Sequence, residues 1–278
     1  MSKTKYPIYI PTKGRWDIPF TALRINEMDC PFYFVVESTE VKKYKKLNIG
    51  KVLTLPFHDL GQGSIPARNW IWEHAKAHGH ARHWVMDDNV LRFFRLNYNR
   101  RIEAQTAAIF RCIEDWSDRY TNVAFAGPHH VGFAPDRNGI LPPFYLNTRV
   151  YSMILVNTTM PYRWRGRYNE DTDICLRALK DGWCTAVFTA VLGQKGPTMK
   201  MHGGNTDNVY NTGDSRRAFA ESLQKQHPDC VKVVWKFQRW HHEVDYTLFK
   251  KNKLIIFKRN NSFLLFYNKK LLLFLNLY

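Results

Sequence analysis

Between Tyr6 and Asn89 four short apolar runs alternate with stretches of helical character, and this alternation restricts the fold more than any other feature. The runs are Tyr6-Pro7-Ile8-Tyr9-Ile10-Pro11, Pro31-Phe32-Tyr33-Phe34-Val35-Val36, Lys51-Val52-Leu53-Thr54-Leu55 and His83-Trp84-Val85-Met86. Each has the length of a strand and is bounded by turn residues. Residues 17–28, with Asp17 as cap, residues 40–47 and residues 64–78 read as the helices between them. Strands and helices that alternate in this way build a mostly parallel sheet.

The fourth run ends abruptly in Asp87-Asp88-Asn89. Open α/β sheets bind ligands at the carboxyl ends of their strands. Two carboxylates placed there repel each other unless a cation neutralises them. Hard divalent ions take such oxygens, often together with substrate phosphates. The residues therefore form a candidate metal–diphosphate site, although an Asx-rich turn ending a strand has the same composition. Three earlier stretches suit the same ligand. Pro11-Thr12-Lys13-Gly14-Arg15 is a sharp basic turn after the first strand. Glu37 follows the second strand, where an acidic residue often holds a ribose or base. Gly61-Gln62-Gly63-Ser64 precedes a helix with Pro66 in its first turn and Arg68 one turn in. Gly63 lets backbone approach a ligand, Ser64 suits a cap, and Arg68 can meet an anion at the helix start. No Gly-Lys-Ser/Thr follows, so this is not a Walker loop.

Beyond residue 90 the pattern predicts strands at 91–98, 123–127, 149–156, 183–188 and 231–235. It predicts helices at 102–120 and 215–227, and a loop at 129–143. A second acidic cluster, Glu170, Asp171 and Asp173, opens a helix with Asn169 as its expected cap. Acidic residues there complement the helix dipole, yet three exceed what capping needs, which makes a carboxylate of this cluster a candidate base. Arg163-Trp164-Arg165-Gly166-Arg167 and Arg239-Trp240 are basic and aromatic, and such segments suit an anionic acceptor. His202, followed by two glycines, is a candidate metal ligand. The histidines at 74, 78, 80 and 83 read as a solvated helix end.

The formal net charge of +17 and a pI near 9.7 point to an anionic partner: nucleic acid, nucleotide or membrane surface. Five scattered cysteines without a CxxC pair argue against a zinc ribbon and a disulfide framework, and fit a reducing cytoplasm. No run of about 18 apolar residues predicts a membrane span. From Tyr246 the composition shifts to Leu, Phe, Asn, Lys and Arg without acidic residues. The expected organisation is thus a body at 1–245, with a nucleotide-binding half at 1–90 and an acceptor half at 91–245, and a basic apolar tail at 246–278.

In this order and spacing the motifs resemble GT-A-fold nucleotide-sugar glycosyltransferases, over roughly residues 5–205. Asp87-Asp88-Asn89 is similar to the family's DxD metal motif, with Asn in the third position. Asn169-Glu170-Asp171 is similar to its xED motif, His202 to its C-terminal metal-binding His, and Pro11–Arg15 to its first nucleotide-contact loop. The short basic body most resembles the phage glycosyltransferases associated with TET/JBP dioxygenases. The resemblance implies an α/β, Rossmann-like mixed sheet flanked by helices. It implies Mn²⁺ or Mg²⁺ held by Asp88, with Asp87 or Asn89, and by His202, against the diphosphate of a donor such as a UDP-sugar. Thr12, Lys13, Arg15, Glu37, Gly63, Ser64, Arg68 and Asp87 fall at the implied donor site. Asp171, with Glu170 as second choice, is the implied base of an inverting transfer. The implied acceptor is the hydroxyl of a 5-hydroxymethylpyrimidine, 5-hydroxymethylcytosine first, in phage DNA inside a bacterial host. Arg163, Trp164, Arg165, Arg167, Arg239 and Trp240 are the candidate DNA contacts, since basic side chains bind phosphate and aromatics can fill the place of a flipped base. Two other classes share the composition: a GT-A enzyme acting on glycan, lipid or protein, and a nucleic-acid-binding protein without catalysis.

Overall fold

The computed structural model describes residues 3–98, 100–134, 141–166, 168–196 and 215–257. Strand β1 (Ile8–Pro11) leads through α1 (Phe20–Glu27) to β2 (Phe32–Val36), then through a 3-10 turn and α2 (Val41–Lys45) to β3 (Lys51–Thr54). Helix α3 (Ile65–Ala77) returns the chain to β4 (Arg82–Met86). Strands β5 (Val90–Asn97) and β6 (Arg100–Glu103) form a hairpin, followed by α4 (Ala108–Ser117), β7 (Val123–His130), β8 (Phe144–Leu146) and β9 (Met153–Asn157). Helix α5 (Glu170–Lys180) and the long β10 (Cys184–Lys195) complete the sheet. Its order is β3-β2-β1-β4-β9-β7-β10-β5-β6, with β8 paired to β10. Helix α6 (Ser215–Gln226) packs on a separate hairpin of β11 (Val231–Lys236) and β12 (Arg239–Val244).

The strand-by-helix reading of residues 1–90 holds: β3, β2, β1 and β4 are mutually parallel. Strand β9 then enters antiparallel between β4 and β7, which makes the sheet mixed. The expected Rossmann-like, GT-A-like α/β architecture is the one observed. Both faces of β1, β2 and β4 are buried, and period-2 alternation divides their side chains between two cores, while β3 forms the more exposed edge. Ile8, Ile10, Phe34, Trp84 and Met86 face a core closed by α1 and α4, through Ile25, Phe110 and Ile113. Tyr9, Val35 and Val85 face the opposite core with Trp72 and Ala75 of α3 and Ile174 and Ala178 of α5.

Several local expectations change. Residues 102–103 belong to β6 rather than to the start of a helix, because Arg100–Glu103 pairs with β5 and supplies that edge with backbone hydrogen bonds. Helix α1 begins at Phe20 after Pro19 rather than at an Asp17 cap, and Ser64 and Asn169 make no side-chain capping bond. Asn169 instead adopts φ 54° and donates its amide to the Phe219 carbonyl at 2.8 Å. His83 is fully buried against Thr158, with its pKa pushed down to about 3 by burial, and so is no part of a solvated cluster. All five cysteines are free thiols.

The composition shift at residue 246 is not a structural boundary. Asn252 donates to the Leu179 and Trp183 carbonyls at 2.7 and 2.9 Å. Asn147 donates to those of Phe249 and Asn252, and Asn122 to that of Lys253. Buried amides fasten residues 246–257 to the body by satisfying backbone groups of an irregular segment. No described helix is long and apolar enough to cross a membrane.

Candidate active site

The chain leaves β1 toward β2 on one side and returns to β4 on the other. The carboxyl ends of β1 and β4 therefore flank a topological switch point, where open sheets form a crevice. The loop after Pro11 and the Asp87-Asp88-Asn89 segment meet there. Thr12 Oγ1 donates to Asp88 Oδ2 at 2.8 Å, and the Arg15 guanidinium donates to Asp88 Oδ1. Tyr44 of α2 braces both, through the Thr12 hydroxyl and the Arg15 amide. Gly14, at φ 68°, turns its amide onto both oxygens of the buried Glu40, at 3.0 Å each. Lys13 pairs with Glu37 at 2.8 Å and with Asp59. The expected first contact loop and the acidic residue after β2 thus form one charged rim.

Asp87 faces the other half of the chain. Arg68 Nη2 lies 2.7 Å from Asp87 Oδ1, while its Nη1 donates to Asp171 Oδ1. Arg68 is 3% exposed. Its position one turn into α3, after Gly63 and Ser64, aims the guanidinium into the crevice, and the Ser64 carbonyl accepts the Arg68 amide at 2.9 Å. The expectation of Arg68 at the helix start is met, but its partners are two carboxylates. Lys195, at the end of β10, lies 2.7 Å from Asp87 Oδ2 and 3.0 Å from Ser152 Oγ. Burial pushes the Asp87 pKa up, and Lys195 and Arg68 more than offset this, leaving it below the ordinary range. For Asp88 burial outweighs Arg15 and Thr12, and the pKa is raised.

Ser152 joins these groups. At φ 68° a non-glycine residue is strained. That conformation gives its amide to Asp171 Oδ2 at 3.2 Å and its carbonyl to the Asp87 amide at 2.7 Å. Close backbone packing supports the arrangement: a Cβ on Gly127 of β7 would stand 2.1 Å from the Met153 carbonyl oxygen.

The three acids of α5 have different surroundings. Asp173 is 1% exposed and holds Arg165, Arg177 and His227, the last at 2.9 Å. It is a structural anchor. Asp171 is gripped by Arg68 and the Ser152 amide. For Glu170, burial first and the Asp171 carboxylate second raise the pKa to about 7, against the pull of Arg68.

A hard cation finds partial accommodation. Asn89 Oδ1 is buried and has no hydrogen-bond partner among the described residues, whereas both carboxylate oxygens of the preceding Asp88 are taken, by Thr12 and by Arg15. Amide and carboxylate oxygens are the kind that hard divalent ions take, often alongside phosphate, and an ion on Asp88 would displace Thr12 or Arg15 from it. Among the described residues no group of three His, Cys, Asp or Glu side chains could enclose a metal alone. His202 lies outside the described residues, as does Arg167.

The basic aromatic candidates separate. Trp164, 2% exposed, is a core residue packed near Trp72 and Phe125, with Arg68 over its ring; burial removes it from the expected nucleic-acid surface. Arg163 pairs with Glu73 and lies over Trp72, and Arg165 is committed to Asp173. Arg239 and Trp240 stand on β12. Trp240 meets Trp235 edge-on at 5.1 Å and carries the Arg217 guanidinium over its ring. The hairpin closes through Phe237 and Gln238, at φ 51° and 57°. Phe237 is 86% exposed, and Lys236 and Arg239 flank the two-residue turn.

Sequence reading did not single out Ser152, Lys195 or Glu40. A hydroxyl at the start of an apolar strand was the available signal for Ser152. Lys195 is one basic residue among many, and the pairing of the end of β10 with the start of β5, opposite Val90, brings it to the crevice.

A family model described as TET-Associated Glycosyltransferase matches residues 6–204, which include every acid and cation of this crevice. No curated protein matches the chain.

Proposed function

The chain belongs to the TET-Associated Glycosyltransferase family, and on that premise we propose that it moves a sugar from a nucleotide-sugar donor to the hydroxyl of a 5-hydroxymethylpyrimidine in DNA, with inversion. The observation that carries this reading is the Arg68 bridge between Asp87 and Asp171. It joins the strand-end acids of the nucleotide half to the acids of α5 in one site.

Donor and acceptor chemistry then divide between the two acid groups. Asp88 and Asn89 would hold Mn²⁺ or Mg²⁺, which when bound offsets charge on the departing diphosphate. Lys13, Arg15 and Lys195 are cations suited to a UDP-like group, and Thr12, Glu37, Gly63 and Ser64 would be further contacts to the donor. The acceptor oxygen attacks the anomeric carbon as the bond from that carbon to the diphosphate oxygen breaks, its electron pair leaving with the phosphate. The hydroxyl proton passes to a carboxylate. Asp171 was the first expectation for that base. The geometry favours Glu170, because Asp171 is engaged by Arg68 and Ser152 whereas Glu170 has a pKa of about 7. A base titrating near the working pH combines availability with driving force. The exposed Phe237 and Arg239 on the hairpin and the net charge of +17 support DNA as the carrier of the acceptor.

Release of nucleoside diphosphate from a panel of sugar nucleotides tests the reading. With Mn²⁺, hydroxymethylated DNA should stimulate release from one donor, unmodified DNA should not, and Asp88→Ala should abolish the stimulation. Equal release with both DNAs would contradict it.

A further inference from the structure

A cavity of about 960 Å³ lies between the end of β7, strand β8 and residues 242–254. None of the crevice acids Asp87, Asp88, Glu170 and Asp171 lines it, so it is a second site and not a part of the first. Its size lies at the upper end of the roughly 300–1,000 Å³ typical of small-ligand sites. Its charge is one-sided: Arg149, Lys250 and Lys253 line it, against a single acid, Asp245. That acid is turned to its own chain, where it accepts the Thr247 amide at 2.9 Å.

Arg149 is the centre of this wall. It is half-buried, yet among the described residues it makes no ion pair. The Tyr151 ring lies under its guanidinium at 4.2 Å, and Nη1 reaches His242 Nε2 only at 3.5 Å. Burial first and Arg149 second lower the pKa of both His242 and His129 to about 4, so these lining imidazoles are neutral at neutral pH and offset none of its charge. A cation withdrawn from water without a counter-charge is costly, and an anion in the cavity relieves that cost. The planar guanidinium fork matches two oxygens of a phosphate. Phe133 and Tyr145, also in the lining, leave ring surface exposed, on which a planar base can stack. The lysine side lies beyond residues 6–204 and so beyond the family match.

We propose that this cavity binds a nucleoside phosphate, its phosphate on Arg149 with Lys250 and Lys253 and its base against Phe133 or Tyr145. The site is separate from the donor crevice, and the inference does not depend on the sugar transfer.

The test titrates the full chain, without divalent ion, with thymidine 5′-phosphate and with inorganic phosphate. Calorimetry gives the affinities, and NMR of isotope-labelled imidazoles gives the place. The nucleotide should bind about tenfold more tightly than inorganic phosphate, the worth of one base–aromatic contact. The His129 and His242 resonances should move, and those of His74 and His78 on α3 should not. Arg149→Gln should weaken nucleotide binding about 10²-fold, the worth of a bidentate charged contact. The pair Lys250→Gln and Lys253→Gln should weaken it about tenfold, as two exposed charges do, and decides the matter if Arg149→Gln fails to fold. Unmoved His129 and His242 resonances, a nucleotide no tighter than phosphate, or unchanged affinity in the lysine pair would overturn the inference. A short single-stranded thymidine oligonucleotide separates the two sources of such a phosphate: movement of the same two resonances assigns the site to a DNA strand, and their movement with the mononucleotide alone assigns it to a free nucleotide.

Discussion

The guanidinium of Arg68 donates to the carboxylate of Asp171, although 103 residues separate them in the chain. Through this contact the first turn of α3 and the first turn of α5, which pack on the same face of the sheet, address one crevice. Arg68 also holds Asp87, so one buried cation balances acids from both halves of the domain.

Replacing Arg68 by Met should leave the half-buried Asp87 and Asp171 with less compensation. Removing one partner of a buried pair costs about 3–5 kcal/mol. A fall of that size in unfolding free energy, read from denaturant midpoints at neutral pH, is the expected outcome. Adding Asp171→Asn to Arg68→Met should recover part of the loss, because one of the two stranded charges disappears. Equal stability of wild type and Arg68→Met would show that the bridge carries no structural weight.

Glu170 links activity and stability with opposite signs. Its pKa is raised from 4.5 to about 7 by burial and Asp171. As a base it works ionised, so kcat/KM should rise with pH through about 7 and level off above. The raised pKa also means that the folded state favours the protonated form. That contribution to stability is full below about 4.5 and is lost as pH rises through about 7. Glu170→Gln should therefore lose about 10²- to 10⁴-fold in rate while melting higher than wild type at pH 8. A variant that retained the pH limb near 7 would assign that limb to another group.

The hairpin tip carries a testable strain. Phe237 occupies a left-handed conformation at φ 51° in a two-residue turn that suits Asn or Gly, and it is exposed. Left-handed backbone costs a non-glycine residue roughly 1–2 kcal/mol. Phe237→Gly should raise the melting temperature while weakening DNA binding about tenfold, in line with the worth of one aromatic–base contact. Arg239→Ala should reduce the slope of log affinity against log salt by about one. Unchanged binding in both would move the DNA to another surface.

Much of this site was legible in the chain because its signals are local. A strand running into Asp87-Asp88-Asn89 and an Arg one turn into a helix after Gly63-Ser64 each fix direction through short-range geometry. The rest depends on pairings that no local pattern encodes. Ser152 reaches Asp87 because β9 inserts antiparallel beside β4, and Lys195 because the end of β10 pairs with the start of β5, just past Asn89. Asp173 and the Arg163–Arg167 segment around Trp164 carry the composition of a polar surface, but Asp173 is buried under Arg165, Arg177 and His227, and Trp164 packs near Trp72 and Phe125. Asn169 has the composition of a cap, yet its left-handed backbone leads its side chain to α6 instead.

Truncation separates the docked segment from composition. Ending the chain at residue 245 strands the amides of Asn122 and Asn147 and removes that of Asn252. At roughly 1 kcal/mol for each hydrogen bond lost, the five side-chain contacts made by these amides predict a clear drop in melting temperature. Ending it at residue 257 should keep those contacts and the wild-type melting temperature. Equal melting of the two truncations would contradict the docking.

The central claim is the transfer itself, and nucleoside mass spectrometry reads it most directly. DNA containing 5-hydroxymethylcytosine, incubated with the full chain, Mn²⁺ and a panel of sugar nucleotides, should yield a hydroxymethylated nucleoside heavier by one sugar residue. Glu170→Gln should not form it at a comparable rate. No mass gain with any donor, on DNA that the protein binds, would contradict the account.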